Sequence, residues 1–133
     1  MARRQTQKKQ RNEPVVVDAH LGEIDHRLTR RAVVNNFRRG IVSQDSVCDA
    51  HPELWRVARN FGRPTRVKCP ICAKDQLVTV TYLFGPRLPT HGKFIATRAE
   101  LQQFVNRPER YTGYLVEVCR SCAWHHLLKT REI

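Results

Sequence analysis

KCPICAK (68–74) and VCRSCAW (118–124) each place two cysteines with two residues between them, and together they supply four thiolates. Four sulfurs at about 2.3 Å suit one structural Zn²⁺ in a closed tetrahedral site, because that ion is borderline-soft and has no geometric demand of its own. The ligand set read from the pattern is Cys69, Cys72, Cys119 and Cys122. The short spacer lets one tight turn aim both sulfurs at the metal, and Pro70 helps fix the first turn. One such pair alone also suits thiol redox chemistry, and four cysteines also suit iron.

Working outward, LVTVTYLF (77–84) alternates, with Val78, Val80, Tyr82 and Phe84 on one side, and reads as a strand. YTGYLVEV (111–118) repeats the habit with Tyr114, Val116 and Val118 and runs into Cys119. The two should pair antiparallel, so that knuckle, strand, return strand and knuckle form a zinc ribbon with the metal at one end. The 46 residues between Cys72 and Cys119 exceed a plain hairpin. An insertion at 85–110 is therefore expected, irregular at first and then a short helix opened by the Thr97/Glu100 capping box before Leu101, Phe104 and Val105.

Upstream, a helical pattern is expected from about Glu23, with Ile24, Leu28, Ala32 and Phe37 as its apolar stripe and Gly40 as its stop. Ser43 caps a short second helix through Val47 and Cys48. The third, Pro52 to Phe61, is the clearest: Leu54, Val57, Ala58 and Phe61 fall at i, i+3, i+4 and i+7. The expected architecture is α+β: a basic flexible arm (1–20), a unit of about three short helices (21–64), then the ribbon (65–133).

Composition narrows the function. At 133 residues the chain fits one domain, or a small domain with an appendage, and 41% hydrophobic content allows a core. A metal cross-link is a staple that a core divided between two regions needs. The start MARRQTQKKQRNE is not followed by an apolar stretch, and no segment approaches about 20 apolar residues, so neither a secretory signal nor a membrane span is expected. A cytoplasmic location follows, where thiols stay reduced and paired cysteines favour metal over disulfides.

The net charge of +12 and pI near 10.3 point to a polyanion, which in that compartment means nucleic acid or a ribonucleoprotein. A Zn(Cys)₄ centre would carry −2 and leave about +10. The candidate phosphate contacts are Arg3, Arg4, Lys8, Lys9 and Arg11 in the arm, then Arg56, Arg59, Arg63, Arg66 and Lys68, with Lys74 and Arg120 inside the knuckles. Tyr82, Tyr111, Tyr114 and Trp124 are candidate stacking platforms for bases, though such residues more often fill a core.

Some residues invite enzymatic readings. Cys48-x-x-His51 has the spacing of half a second metal site, yet a single cysteine on a short helix is more often a small hydrophobe. His125 and His126 could substitute as ligands but are not needed beside four thiolates. His51-Pro-Glu53 before Cys69-Pro-Ile-Cys72 invites comparison with zinc deaminases. There proline precedes the first cysteine, the interval here is short, and a closed Cys₄ site leaves no position for an activated water. With no phosphate loop, nucleophile elbow or catalytic carboxylate pair, no enzyme is expected and no small-molecule substrate.

VCDAHPEL (47–54), RPTRVKCPIC (63–72), VTVTYLFG (78–85) and EVCRSCAWHHL (117–127) resemble a family of small actinobacterial proteins with a domain of unknown function, over most of residues 20–128. That resemblance implies a bacterial cytosolic protein and brings no catalytic residue. The knuckles also resemble those in zinc ribbons of ribosomal and transcription proteins, where glycine usually follows the second cysteine; here Ala73 and Ala123 stand there. The expected function is non-enzymatic binding of RNA or a ribonucleoprotein, the ribosome foremost. A protein-interaction module, such as an RNA polymerase-associated transcription factor, and a DNA-binding protein are the alternatives.

Overall fold

A computed structural model describes residues 22–133. The basic arm and its five candidate contacts, Arg3, Arg4, Lys8, Lys9 and Arg11, lie outside the described residues. Four helices and six strands follow in the order β1 (Glu23–Asp25), α1 (Arg27–Arg38), α2 (Gln44–Val47), α3 (Pro52–Phe61), β2 (Arg63–Lys68), β3 (Gln76–Phe84), β4 (Lys93–Ile95), α4 (Arg98–Val105), β5 (Thr112–Val118) and β6 (His125–Glu132). The strands form one antiparallel sheet ordered β1-β6-β5-β3-β2, with β4 paired to the outer half of β3 on the same edge as β2.

Local chemistry sets the helix ends. Ser43 Oγ accepts from the Ser46 N–H at 3.2 Å and starts α2. His51 Nδ1 accepts from the Glu53 N–H at 3.1 Å while Pro52 occupies the first turn of α3, where its missing N–H costs nothing. At α4, Thr97 Oγ1 accepts from the Glu100 N–H at 3.1 Å and Glu100 Oε1 accepts from the Ala96 N–H at 2.9 Å. Gly40 follows α1 at φ 76°, the left-handed conformation that a glycine tolerates after a helix.

β3 is the axis of the core and is buried on both faces. On one face Val78 and Val80 meet Val118 of β5 and Val57 and Ala58 of α3. The other face is shared. At the cysteine end Leu77 packs with Val34 of α1, Val47, Trp124, Cys69 and Cys119, and at the far end Leu83 packs with Ile95, Leu101, Phe104 and Tyr111. The sheet draws strands from both sides of residue 64.

Three expectations change. The helix expected from Glu23 starts at Arg27, because residues 23–25 pair with Lys129–Arg131 of β6 and the Asp25 carboxylate accepts from the Arg27 N–H at 2.9 Å. The expected α1 stripe is also displaced: Ile24 and Leu28 are 57% and 77% exposed, whereas Val33, Val34 and Phe37 face the core. The fourth member of the true i, i+3, i+4, i+7 stripe is Arg30. Finally, the two expected strands of a ribbon belong to a larger sheet, with β2 and β6 as their outer partners and β4 added within the inserted segment.

Arg30 is tolerated inside because Glu117 of β5 accepts from its Nε, and the same carboxylate accepts from Trp124 Nε1 at 3.0 Å. Glu117 is 5% exposed and Trp124 1% exposed, so this network ties α1, β5 and the second knuckle in a dry setting. Breaking one partner of a buried pair strands the other charge, at a cost of about 3–5 kcal/mol. Arg30→Met should lower unfolding free energy by that order, and Arg30→Met with Glu117→Leu should recover part of the loss, less about 1–3 kcal/mol for the Trp124 indole N–H left without its acceptor; chemical denaturation of the four corners of the cycle measures it.

Candidate metal centre and basic surface

Each cysteine pair sits in the turn of one hairpin, Cys69/Cys72 between β2 and β3 and Cys119/Cys122 between β5 and β6. Pairing of β3 with β5, from Val78↔Val118 outward, brings both turns to one end of the sheet. The four Sγ atoms lie within 4.8 Å of one another, with Cys69–Cys122 and Cys72–Cys119 each at 3.7 Å. A tetrahedral ion with bonds of about 2.3 Å needs sulfur–sulfur edges of about 3.8 Å, so this set can hold a metal ion.

The backbone supports the sulfurs. Ile71 N–H donates to Cys69 Sγ, Lys74 N–H to Cys72 Sγ, and Ser121 and Cys122 N–H to Cys119 Sγ, at 3.3–3.4 Å. Burial pushes the Cys69 and Cys122 thiols well above the ordinary range, and their sulfur neighbours add to the rise. Burial also raises Cys72, but the Lys74 N–H and adjacent thiols outweigh it and hold Cys72 below its usual value. Four thiolates crowded in a largely buried setting repel one another; a divalent cation removes that conflict.

The turns repeat each other closely. Ala73 N–H donates to Cys69 O and Ala123 N–H to Cys119 O, both at 3.1 Å, and the next chain segment returns through Cys69 N–H to Asp75 O and Cys119 N–H to Trp124 O. Asp75 then links the two knuckles, accepting from Ser121 Oγ at 3.3 Å and facing Arg120 Nη2 at 3.7 Å. Ala73 and Ala123 adopt φ 57° and 70°, so both alanines carry the left-handed backbone for which ribbons usually use glycine. An L-residue there costs roughly 1–2 kcal/mol.

The histidines weighed and set aside as ligands have other uses. His51 caps α3, His125 Nε2 meets Asp49 Oδ1 at 3.0 Å, and His126 Nδ1 lies 2.7 Å from Leu127 O. Cys48 was not part of the expected ligand set, yet its Sγ lies 3.1 Å from Cys122 Sγ. Burial raises its thiol above the ordinary range. No pattern in the sequence marks that contact, because Cys48 reaches the cluster from the end of α2, 74 residues away from Cys122.

The candidate phosphate contacts do not form one uniform set. Arg56 pairs with Glu53, and Arg59 lies over the Trp55 ring at 4.5 Å. Trp55 Nε1 donates to Arg120 O at 3.2 Å, which joins α3 to the second knuckle. Arg63 is half-buried beside Phe61 and Phe94 in a shallow cleft. Arg66, Lys68 and Lys74 are exposed and have no carboxylate partner among the described residues.

Three cations outside that candidate set, Arg31, Arg38 and Arg39 on and just after α1, are likewise exposed without one. Their signal was the doubled arginines in RLTRRAVVNNFRRG (27–40). Of the stacking candidates, Tyr111 and Trp124 are 2% and 1% exposed and belong to the core; Tyr114 packs on Phe84 at 4.7 Å.

Two predictions follow from the turn geometry. Ala73→Gly and Ala123→Gly should each raise thermal stability by about 1 kcal/mol, less the entropy that glycine adds to the unfolded chain. Asp75→Ala should lower metal affinity about tenfold or more, as loss of outer support around a ligand set does, read by competition with a chromophoric chelator.

Residues 17–131 match the family of unknown function DUF5318. The chain is also 39% identical over 107 residues to uncharacterized protein Rv0049 of Mycobacterium tuberculosis strain H37Rv, covering 80% of this chain and 78% of that protein. Uncharacterized protein Mb0050 of Mycobacterium bovis matches with the same identity and coverage. No solved structure matches. Apart from Glu132 at the end of β6, the cysteine-bearing hairpins, the helices packed on them and the sheet that joins them fall within the matched span, and the chain belongs to the DUF5318 family.

Proposed function

We propose that this chain is a non-enzymatic, cytoplasmic zinc-ribbon protein that binds RNA or a ribonucleoprotein, the ribosome foremost. The metal is one structural zinc ion held by Cys69, Cys72, Cys119 and Cys122, a reading supported by the all-thiolate donor set and its two sulfur–sulfur separations of 3.7 Å. The paired β3 and β5, with a knuckle at one end of each hairpin, form the ribbon. Binding by the folded chain contributes on the order of 10 kcal/mol in such sites, so the metal is a folding element here and not a reagent.

The observation that carries the RNA reading is how the charges are spent. Every described side-chain carboxylate except Asp45 already faces a cationic side chain or the His125 ring. The acids are thus consumed within the fold. Arg31, Arg38, Arg39, Arg66, Lys68 and Lys74 remain exposed without carboxylate partners among the described residues. A surplus of this kind attracts phosphate through counterion release, with no need for base-specific contacts. No described helix is long and apolar enough to cross a membrane.

Metal analysis of the purified chain should give about one zinc per molecule, and Cys119→Ser should abolish it, with loss of strand signal when a strong chelator removes the ion. The chain should co-sediment with ribosomal particles from lysate, be released by nuclease, and lose binding with a log–log salt slope of about −3 to −5. Arg31→Glu with Arg38→Glu should flatten that slope by about two units without changing the melting temperature by more than a few degrees. Association that survives nuclease would identify a protein partner and overturn the RNA reading.

A further inference from the structure

Five cysteines meet at the knuckle end of the sheet, and four suffice for a closed metal site. The fifth is not a distant bystander. Cys48 Sγ approaches Cys122 Sγ to 3.1 Å, closer than the 3.7 Å edges recorded within the cluster.

Two further bonds hold the segments that carry this pair. Ala50 N–H donates to Ala123 O at 3.0 Å, and Asp49 Oδ1 meets His125 Nε2 at 3.0 Å. The residues just after Cys48 are therefore pinned to those just after Cys122 on a separate element. Access differs among the sulfurs as well: Cys69 and Cys119 are buried, while Cys48, Cys72 and Cys122 are half-exposed.

We propose that Cys48 and Cys122 are the oxidation site of this protein, forming a disulfide under hydroperoxide that withdraws one ligand from the cluster and releases its metal. The inference rests on the reading of the four cysteines as metal ligands. A hydroperoxide is the oxidant. The Cys122 sulfur, a thiolate while it ligates the metal, attacks a peroxide oxygen, the O–O bond breaks, hydroxide leaves, and Cys122 becomes a sulfenic acid.

The Cys48 sulfur then attacks that sulfenic sulfur. The S–O bond breaks, and the departing oxygen takes up the Cys48 proton and leaves as water. Each sulfur gives up one electron and the peroxide accepts both. A thiol reductant reverses the step by exchange and restores the ligand. Cys48 thus acts as a resolving thiol placed beside a metal ligand, where a sulfenic acid would otherwise oxidise further and irreversibly.

The test uses the full chain as purified, treated with a few equivalents of hydrogen peroxide. Metal release is followed with a chromophoric chelator, and disulfides are mapped by non-reducing peptide mass analysis. Wild type should release metal together with appearance of a Cys48–Cys122 linked peptide, and dithiothreitol with added zinc should restore the starting state. Cys48→Ser should release metal about tenfold more slowly at the same dose. Cys48→Ala, which keeps the half-buried position apolar, replaces it if the serine variant does not fold.

Release at the wild-type rate from the folded variant, or disulfides confined to Cys69, Cys72, Cys119 and Cys122, overturns the proposal. A chain purified without metal would sink the zinc reading alone. The mapped disulfide would still decide the Cys48–Cys122 pair.

Discussion

The antiparallel pairing of β3 with β5 is the constraint on which the rest of the molecule depends. Its register, Val78↔Val118 through Phe84↔Thr112, places the turns before β3 and after β5 at one end of the sheet, and so decides that four sulfurs from distant segments meet. The same register sets the two faces of the core. A slip of one residue would turn Val78, Val80 and Val118 away from α3 and put Leu77 and Glu117 in their place. Strand pairing and thiolate convergence thus specify the same arrangement, and each penalises the misalignments that the other would leave open.

Legibility in the sequence followed chemical distinctness. The cysteine pairs, the alternating β3 and β5, the i, i+3, i+4, i+7 face of α3 and the capped α4 all carry patterns that local physics produces. β2 and β6 do not. RPTRVK and HHLLKTRE are charged and broken by a bulge or a register shift, and they become strands because β3 and β5 offer them free edges. β1 is three residues long and exists only as a partner of β6.

Within the site, the four cysteines that can hold a metal were visible because their spacing is local, whereas Cys48 and Arg30 were not. Both take their meaning from a neighbour 74 or 87 positions away. Arg30 is the sharper case. A hydrophobic reading of α1 must treat arginine as a solvent residue, and so it placed the stripe through Leu28, which is the outward side. The buried carboxylate of Glu117 reverses the rule, since it makes the arginine position part of the core and frees the opposite face to carry unpaired cations.

The pairing of β1 with β6 joins the first described element to the last, with His26 N–H donating to Leu128 O and the Glu23 carboxylate held by Lys129 and Arg131. Chains are made from one end, so residues 23–38 are made well before the strand that receives them. The first half of the sheet cannot close until β6 has emerged, and Cys69 and Cys72 likewise wait for Cys119 and Cys122. Closure of this sheet therefore waits on contacts between elements far apart in the chain, and the thiols made first must stay reduced and unclaimed in the meantime.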